Sequence, residues 1–193
     1  MKKRLKIIVI LFFVLVLIFG AKYMYDININ HNFETITEGK VFKSGVIPPD
    51  EIESYVKKYH IKSIIDLRFP GTGDDFNNPE NPDELTDEQN AVTKIKDLNY
   101  FNDGSDQVPN KENLIQFYKI MDNPANYPVL IHCYHGVGRA ELYSAVYRIE
   151  YENWDKDKAR TSTRFLTKWS SFDLGKPKGD FLNNYIRRKD TLR

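Results

Sequence analysis

The chain has 193 residues, with 28 Lys and Arg against 27 Asp and Glu, for a formal net charge of +1. That balance lacks the basic surplus a nucleic-acid binder carries, so no nucleic-acid partner is expected. One cysteine excludes an intrachain disulfide and a cysteine-rich zinc site, and the four histidines show no ligand spacing, so neither a metal nor a cofactor is expected.

Residues 1–6, MKKRLK, carry four positive charges, and Ile7–Ala21 has no polar side chain. A bilayer-crossing helix needs roughly 20 apolar residues. The run reaches that length if Lys22 snorkels and Tyr23 and Tyr25 sit in the interface. A cleavable signal is the alternative, but Phe19 stands where a small residue is wanted. The organisation expected is a cytoplasmic basic tail over 1–6, a transmembrane anchor or signal segment over 7–25, a linker over 26–39 and a folded domain over 40–193. The basic tail predicts a cytoplasmic N-terminus with the domain on the far side of the membrane; cleavage would instead release it as a secreted protein.

One or two short strands are expected within Ile29–Gly45. Pro48–His60 reads as a helix, with prolines at its start and lysines near its end. Ile61–Arg68 reads as a buried strand, and Phe69–Glu84, rich in Pro, Gly, Asn and Asp, as a loop. A short helix follows near Thr86–Lys96, then a strand at Leu98–Phe101 and a loop. Lys111–Met121 has helical apolar spacing, and Tyr127–His132 is a second central strand. A helix begins near Arg139, and further helices are expected at Trp154–Leu166 and Gly179–Arg188. Strands alternating with helices imply an α/β fold, a mostly parallel sheet flanked by helices.

The chemistry concentrates where the second central strand ends. The order there is strand, Cys133, glycine loop, Arg139, helix. Such a loop gathers backbone N–H groups, and a helix N-terminus adds the positive end of its dipole, which together make an anion site. The same field stabilises a thiolate: cysteines so placed drop from about 8.5 to roughly 3.5–7.5. Gly136 and Gly138 permit a tight turn, while Tyr134, His135 and Val137 complete the loop. Arg139 can grip two phosphate oxygens at once. A lone cysteine after a strand is most often an apolar filler; glycines, arginine and helix together reverse that reading.

HCYHGVGR (His132–Arg139) resembles the signature loop of the cysteine-dependent protein tyrosine phosphatase superfamily: His-Cys, five residues, Arg. KVFKSG (Lys40–Gly45), YHIKSIIDLR (Tyr59–Arg68) and YPVLIHC resemble its small dual-specificity-like branch in order and spacing, from about Lys40 to Trp154. The resemblance implies that Cys133 attacks phosphorus and that Arg139 and the loop amides hold the equatorial oxygens. It implies a general acid on FNDGSDQVPN (Phe101–Asn110), with Asp103 preferred and Asp106 second. It implies that His132 orients the loop, and Asp66 and Arg68 more plausibly brace the sheet end than react. Ala140 departs from the family, which usually carries Ser or Thr after the arginine, and this puts fast turnover in doubt.

The function expected is a membrane-anchored phosphomonoester hydrolase acting on a phosphorylated protein or a small phosphomonoester. An inositol phosphate or phosphoinositide is the alternative substrate. A weakly active phosphate-binding module and a rhodanese-like sulfur carrier are the other classes left open. The sequence gives no oligomeric state.

Overall fold

The computed structural model describes residues 2–69 and 82–190. Helix α1 (Lys2–Asn28) is followed by strands β1 (Glu34–Thr37) and β2 (Val41–Ser44), α2 (Ile52–Tyr59), β3 (Ser63–Asp66), α3 (Pro82–Val92) and β4 (Asn99–Asn102). Then come α4 (Lys111–Met121), β5 (Val129–His132), α5 (Arg139–Tyr151), α6 (Lys156–Thr161) and α7 (Pro177–Asn184). The five strands form one sheet in the order β1-β2-β5-β3-β4. All pairings are parallel except the β1–β2 hairpin.

Alternation along the strands divides the core in two. On β5, Val129 and Ile131 point to one face and Leu130 to the other, as a period of two requires. The Val129 face packs against α4 and α5 through Phe117, Leu142 and Tyr143, and the Leu130 face against α2 and α3 through Ile52 and Val92. Helix α5 is buried from Arg139 through Ile149, so it is an interior helix. β5 lies between β2 and β3, with Leu130 opposite Phe42 on one side and Ile64 on the other. The central strand of a parallel sheet therefore delivers Cys133 at its carboxyl end, where open α/β sheets bind ligands.

Several elements differ from the sequence expectation. β1 and β2 are the short strands expected within Ile29–Gly45, but the linker bounds 26–39 overlap them, since α1 runs through Asn28 and β1 pairs with β2 and buries Ile36 in the core. The loop expected at Phe69–Glu84 lies mostly outside the described residues. α3 starts at Pro82 rather than near Thr86, because Pro82 suits a first helical position and Asp83 and Glu84 favour the dipole there. α6 stops at Thr161 instead of reaching Leu166. The hydroxyls of Thr161, Ser162 and Thr163 all bond back to carbonyls of the preceding turn, which competes with further helix. α7 begins at Pro177 and ends at Asn184, before the expected Arg188.

Within α1, Arg4–Asn28 is long and apolar enough to cross a membrane and no part of it is buried; a signal sequence passes the same test. At a rise of about 1.5 Å per residue, its 25 residues exceed the ~30 Å hydrocarbon thickness.

Candidate active site

Cys133 is 3% exposed and lies at the base of a cleft of about 360 Å³, walled by Arg139, Gln107, Arg164 and Lys178. The loop above it is held from outside, one carbonyl after another. Val46 N donates to Tyr134 O at 3.0 Å, Asn32 Nδ2 to His135 O at 2.9 Å, Lys43 Nζ to Gly136 O at 3.4 Å, and Arg164 Nη2 to Val137 O. In a trans peptide the N–H points opposite to the C=O. Four carbonyls drawn outward therefore turn the amides of residues 135–138 toward the interior of the loop. Amides so turned would suit an anion.

Gly136 has φ +73°, and a Cβ there would sit 2.3 Å from Gly45 N and 2.5 Å from Ser44 C. The loop rests directly on the end of β2 at this point, and no other residue fits. Lys43, which braces Gly136, is itself buried between Glu34 and Glu141, each 2.9 Å from its Nζ. Burial opposes its charge, but the two carboxylates prevail and its pKa is raised. Gly138 precedes α5 and supplies no side-chain cap, and both Gly138 and Arg139 line the cleft, so the positive end of that helix dipole faces it. Arg139 is 2% exposed, and its Nη1 donates to Leu67 O at 2.7 Å and Ser105 O at 3.0 Å. These bonds fix the guanidinium against the ends of β3 and of the segment after β4.

The two candidate acids are placed differently. Asp103 N extends the β3–β4 ladder to Asp66 O, and the side chain is buried. Its Oδ1 accepts from Asn113 Nδ2 at 3.1 Å, and Oδ2 is buried without a hydrogen-bond partner. Burial pushes its pKa up to about 6, with the Asn113 bond opposing. Neither Asp103 nor Asp106 lines the cleft; from this segment Gln107 does. Asp106 is exposed and directly precedes Gln107, whereas Asp103 is buried, with Oδ2 enclosed and Oδ1 bonded to Asn113.

His132, Asp66 and Arg68 come together on the opposite face of the sheet, joined by Glu88 from α3. His132 Nε2 lies 2.9 Å from Glu88 Oε1 and 3.5 Å from Asp66 Oδ1. Arg68 reaches both Asp66 oxygens, at 3.0 and 2.9 Å, and also Glu88, while Tyr100 donates to Asp66 at 2.6 Å. Burial disfavours the Asp66 charge, but His132 and Arg68 outweigh it and hold the carboxyl below its usual range. Asp66, Glu88 and His132 have donor atoms within 4.8 Å of one another, a spacing that could hold a metal. Arg68, and His132 when protonated, already supply the positive charge such an ion would bring. The cluster braces the strand ends from which the loop springs.

Tyr134 stacks edge-on against His135, and His135 and Val137 line the cleft mouth. Sequence reasoning missed Gln107, Arg164, Lys178 and Glu88. Lys178 Nζ donates to Gln107 Oε1 at 2.5 Å across the cleft. These residues come from elements distant in the chain, and no local motif marks them.

A family model described as a DSP-PTPase phosphatase fused to NAD+ kinase matches residues 22–173, more than half of the chain. The dual specificity protein phosphatase TpbA of Pseudomonas aeruginosa is 38% identical over 55 residues, which are 28% of this chain and 25% of that protein. The chain thus aligns with about a quarter of that relative's length. Among solved structures, the core catalytic domain of the PP-IP phosphatase SIW14 from S. cerevisiae superposes with a TM-score of 0.62 at 20% identity, covering 83% of this chain and 89% of that one. A TpbA variant in complex with phosphotyrosine gives 0.59 at 17% identity, covering 85% and 89%. At those identities the superpositions show a shared fold. With the family match running from the end of α1 through the cleft, the chain belongs to the DSP-PTPase phosphatase family.

Proposed function

We propose that the chain hydrolyses phosphomonoesters of protein side chains through a phosphocysteine intermediate. The observation that carries this reading is the loop at 134–137, whose carbonyls are all tied outward around a single buried thiol. Cys133 Sγ attacks phosphorus as the bond to the leaving oxygen breaks. The inward amides and Arg139 hold the three equatorial oxygens, where the charge spreads. The leaving oxygen takes a proton from Asp106, which we prefer to Asp103 because its carboxyl is exposed and its neighbour lines the cleft. Water then attacks phosphorus, returns a proton to that carboxylate and releases phosphate and the thiolate. The TpbA complex with phosphotyrosine supports a phosphotyrosine substrate.

Ala140 is fully buried in the first turn of α5, so no hydroxyl reaches the sulfur from that position. Breakdown of the phosphocysteine is then the slow step, and an initial burst precedes steady turnover. The basic tail supports a cytoplasmic N-terminus, α1 in the bilayer and the catalytic domain outside.

A second reading has its own support. Arg164 and Lys178 line the cleft beside Arg139, giving more positive charge than one phosphate needs. This suits an inositol carrying several phosphates, and the structurally similar SIW14 is a PP-IP phosphatase. Turnover by the full chain on phosphotyrosine peptides, phosphoserine peptides and inositol phosphates, with Cys133→Ser as control, separates the readings. Repeated turnover of peptides is expected. Preference for inositol phosphates supports the second reading, and release that stops at one equivalent on every substrate overturns both.

A further inference from the structure

Two walls of the cleft continue into surfaces that the chemistry does not use. The first leads to α1. That helix ends at Asn28, and within a few residues the chain is bound to the catalytic loop, where Asn32 Nδ2 donates to His135 O, and to the end of β2, where Gly45 N donates to His31 O at 2.7 Å. A neighbouring apolar cleft of about 370 Å³ lies between Tyr23 and Ile27 of α1 and Tyr134 and Val137 of the loop. His135 and Val137 line this cleft and the active-site cleft alike.

The second wall leads from Arg164 to Lys178, both of which line the active-site cleft. Between them the chain turns large apolar side chains to the outside. Phe165 is fully exposed, Trp169 is 77% exposed, and Leu166 and Leu174 are more than half exposed. Lys168 sits among them, its Nζ 4.9 Å from the Trp169 ring centroid, and Arg164, Lys176 and Lys178 flank the segment. The one acid in this segment, Asp173, spends its oxygens on the backbone N–H groups of Trp169 and Leu174. Arg164, at the edge of this segment, donates to Val137 O, and Val137 also lines the cleft beside the end of α1.

A contiguous exposed apolar patch of this kind marks an interaction site. Its composition selects the partner. Aromatic and leucine side chains flanked by lysines suit the bilayer interface, where rings settle at headgroup level and cations meet anionic phosphates. We infer that residues 165–174 form a second membrane contact, dipping Phe165, Leu166 and Trp169 into an anionic bilayer on the side where α1 emerges. The mouth of the cleft is then held at headgroup level, and the phosphates within its reach are those displayed close to the lipid. The inference rests on reading α1 as a membrane anchor.

The two tryptophans provide the test. Trp154 is flanked by Arg148 and Lys158 at 4.7 and 3.9 Å and lines a separate cleft with Tyr185 and Ile186, so it serves as control. The full chain is placed in nanodiscs containing phosphatidylglycerol and brominated lipid. In Trp154→Phe, Trp169 is expected to be quenched severalfold more than Trp154 is in Trp169→Phe, and less so in discs of phosphatidylcholine alone. Hydrogen exchange over 165–174, slower on anionic than on neutral discs, gives the same reading without substitution. Equal quenching of the two rings overturns the inference, as does protection of 165–174 by a second copy or another protein in the absence of lipid. A chain that fails to co-purify with discs overturns the anchor reading, and the inference with it, while phosphatase activity remains a separate measurement.

Discussion

Two buried groups of charges stand at the ends of the same strands, on opposite faces of the sheet. Around Asp66, Arg68 reaches both Asp66 and Glu88, His132 lies against the same two carboxylates, and Tyr100 adds a further donor. Around Cys133, the protein's own acceptors are used on the outside of the loop, and the donors are turned inward. In the first group buried cations are matched to buried carboxylates, whereas in the second the loop and Arg139 line an open cleft. The contrast separates bracing from chemistry even though both groups are buried and both contain a residue of the His132–Cys133 pair.

The contrast can be broken first at its open end. Asp106→Asn should lower kcat by roughly 10²–10⁴, the usual worth of a general acid, while Asp103→Asn stays within about tenfold. Steady-state rates on p-nitrophenyl phosphate decide between them, and the reverse order would return the acid to Asp103. At the closed end, Arg68→Ala leaves two carboxylates buried against His132 alone. A loss of roughly 3–5 kcal/mol is expected in urea unfolding, as for other broken buried pairs.

Gly136 sets the loop of the open group against the end of β2. Gly136→Ala forces a side chain at φ +73° into the backbone of Ser44 and Gly45, so about 3 kcal/mol of stability and the cradle itself should be lost. Retained vanadate binding by that variant would show that the loop tolerates distortion. The smallest effect is a pH dependence. Asp103 is raised by burial from 3.8 to about 6, so the folded state holds its proton more tightly than the unfolded chain. The stability this provides is present below about pH 4 and lost as pH rises through about 6. A displacement of that size is worth ~3 kcal/mol, of which screening by solvent leaves ~2 kcal/mol. The difference in unfolding free energy between wild type and Asp103→Asn, followed from pH 4 to 7, isolates it from the other carboxylates. A flat difference would mean that Asp103 is solvated.

The loop was legible because everything it needs is local. His132 through Arg139 are consecutive, and the strand before them and helix after them have clear periods. The parallel sheet followed from the same alternation. The cleft walls were not legible, since Arg164 and Lys178 arrive from beyond α5 and their approach depends on how α6 and α7 pack. Nor could spacing alone rank Asp103 against Asp106, because the choice turns on which carboxyl is buried. β1 and β2 fall where one or two short strands are expected within Ile29–Gly45, but the bounds of β1 were not legible, since ETIT buries only one side chain, Ile36, and four residues with one wet face leave little periodic signal. Glu88 gave no sign of its role, as an acid in a helix usually faces water.

Cys133 is the sole sulfhydryl of the chain, and this bears on damage as well as on catalysis. Peroxide converts an exposed or activated cysteine to a sulfenic acid, which a nearby thiol ordinarily traps as a recoverable disulfide. Here no resolving partner exists within the chain, so rescue must come from a small-molecule reductant able to enter the cleft. Outside a glutathione-buffered compartment, the lifetime of the active form would be set by how quickly such a reductant arrives.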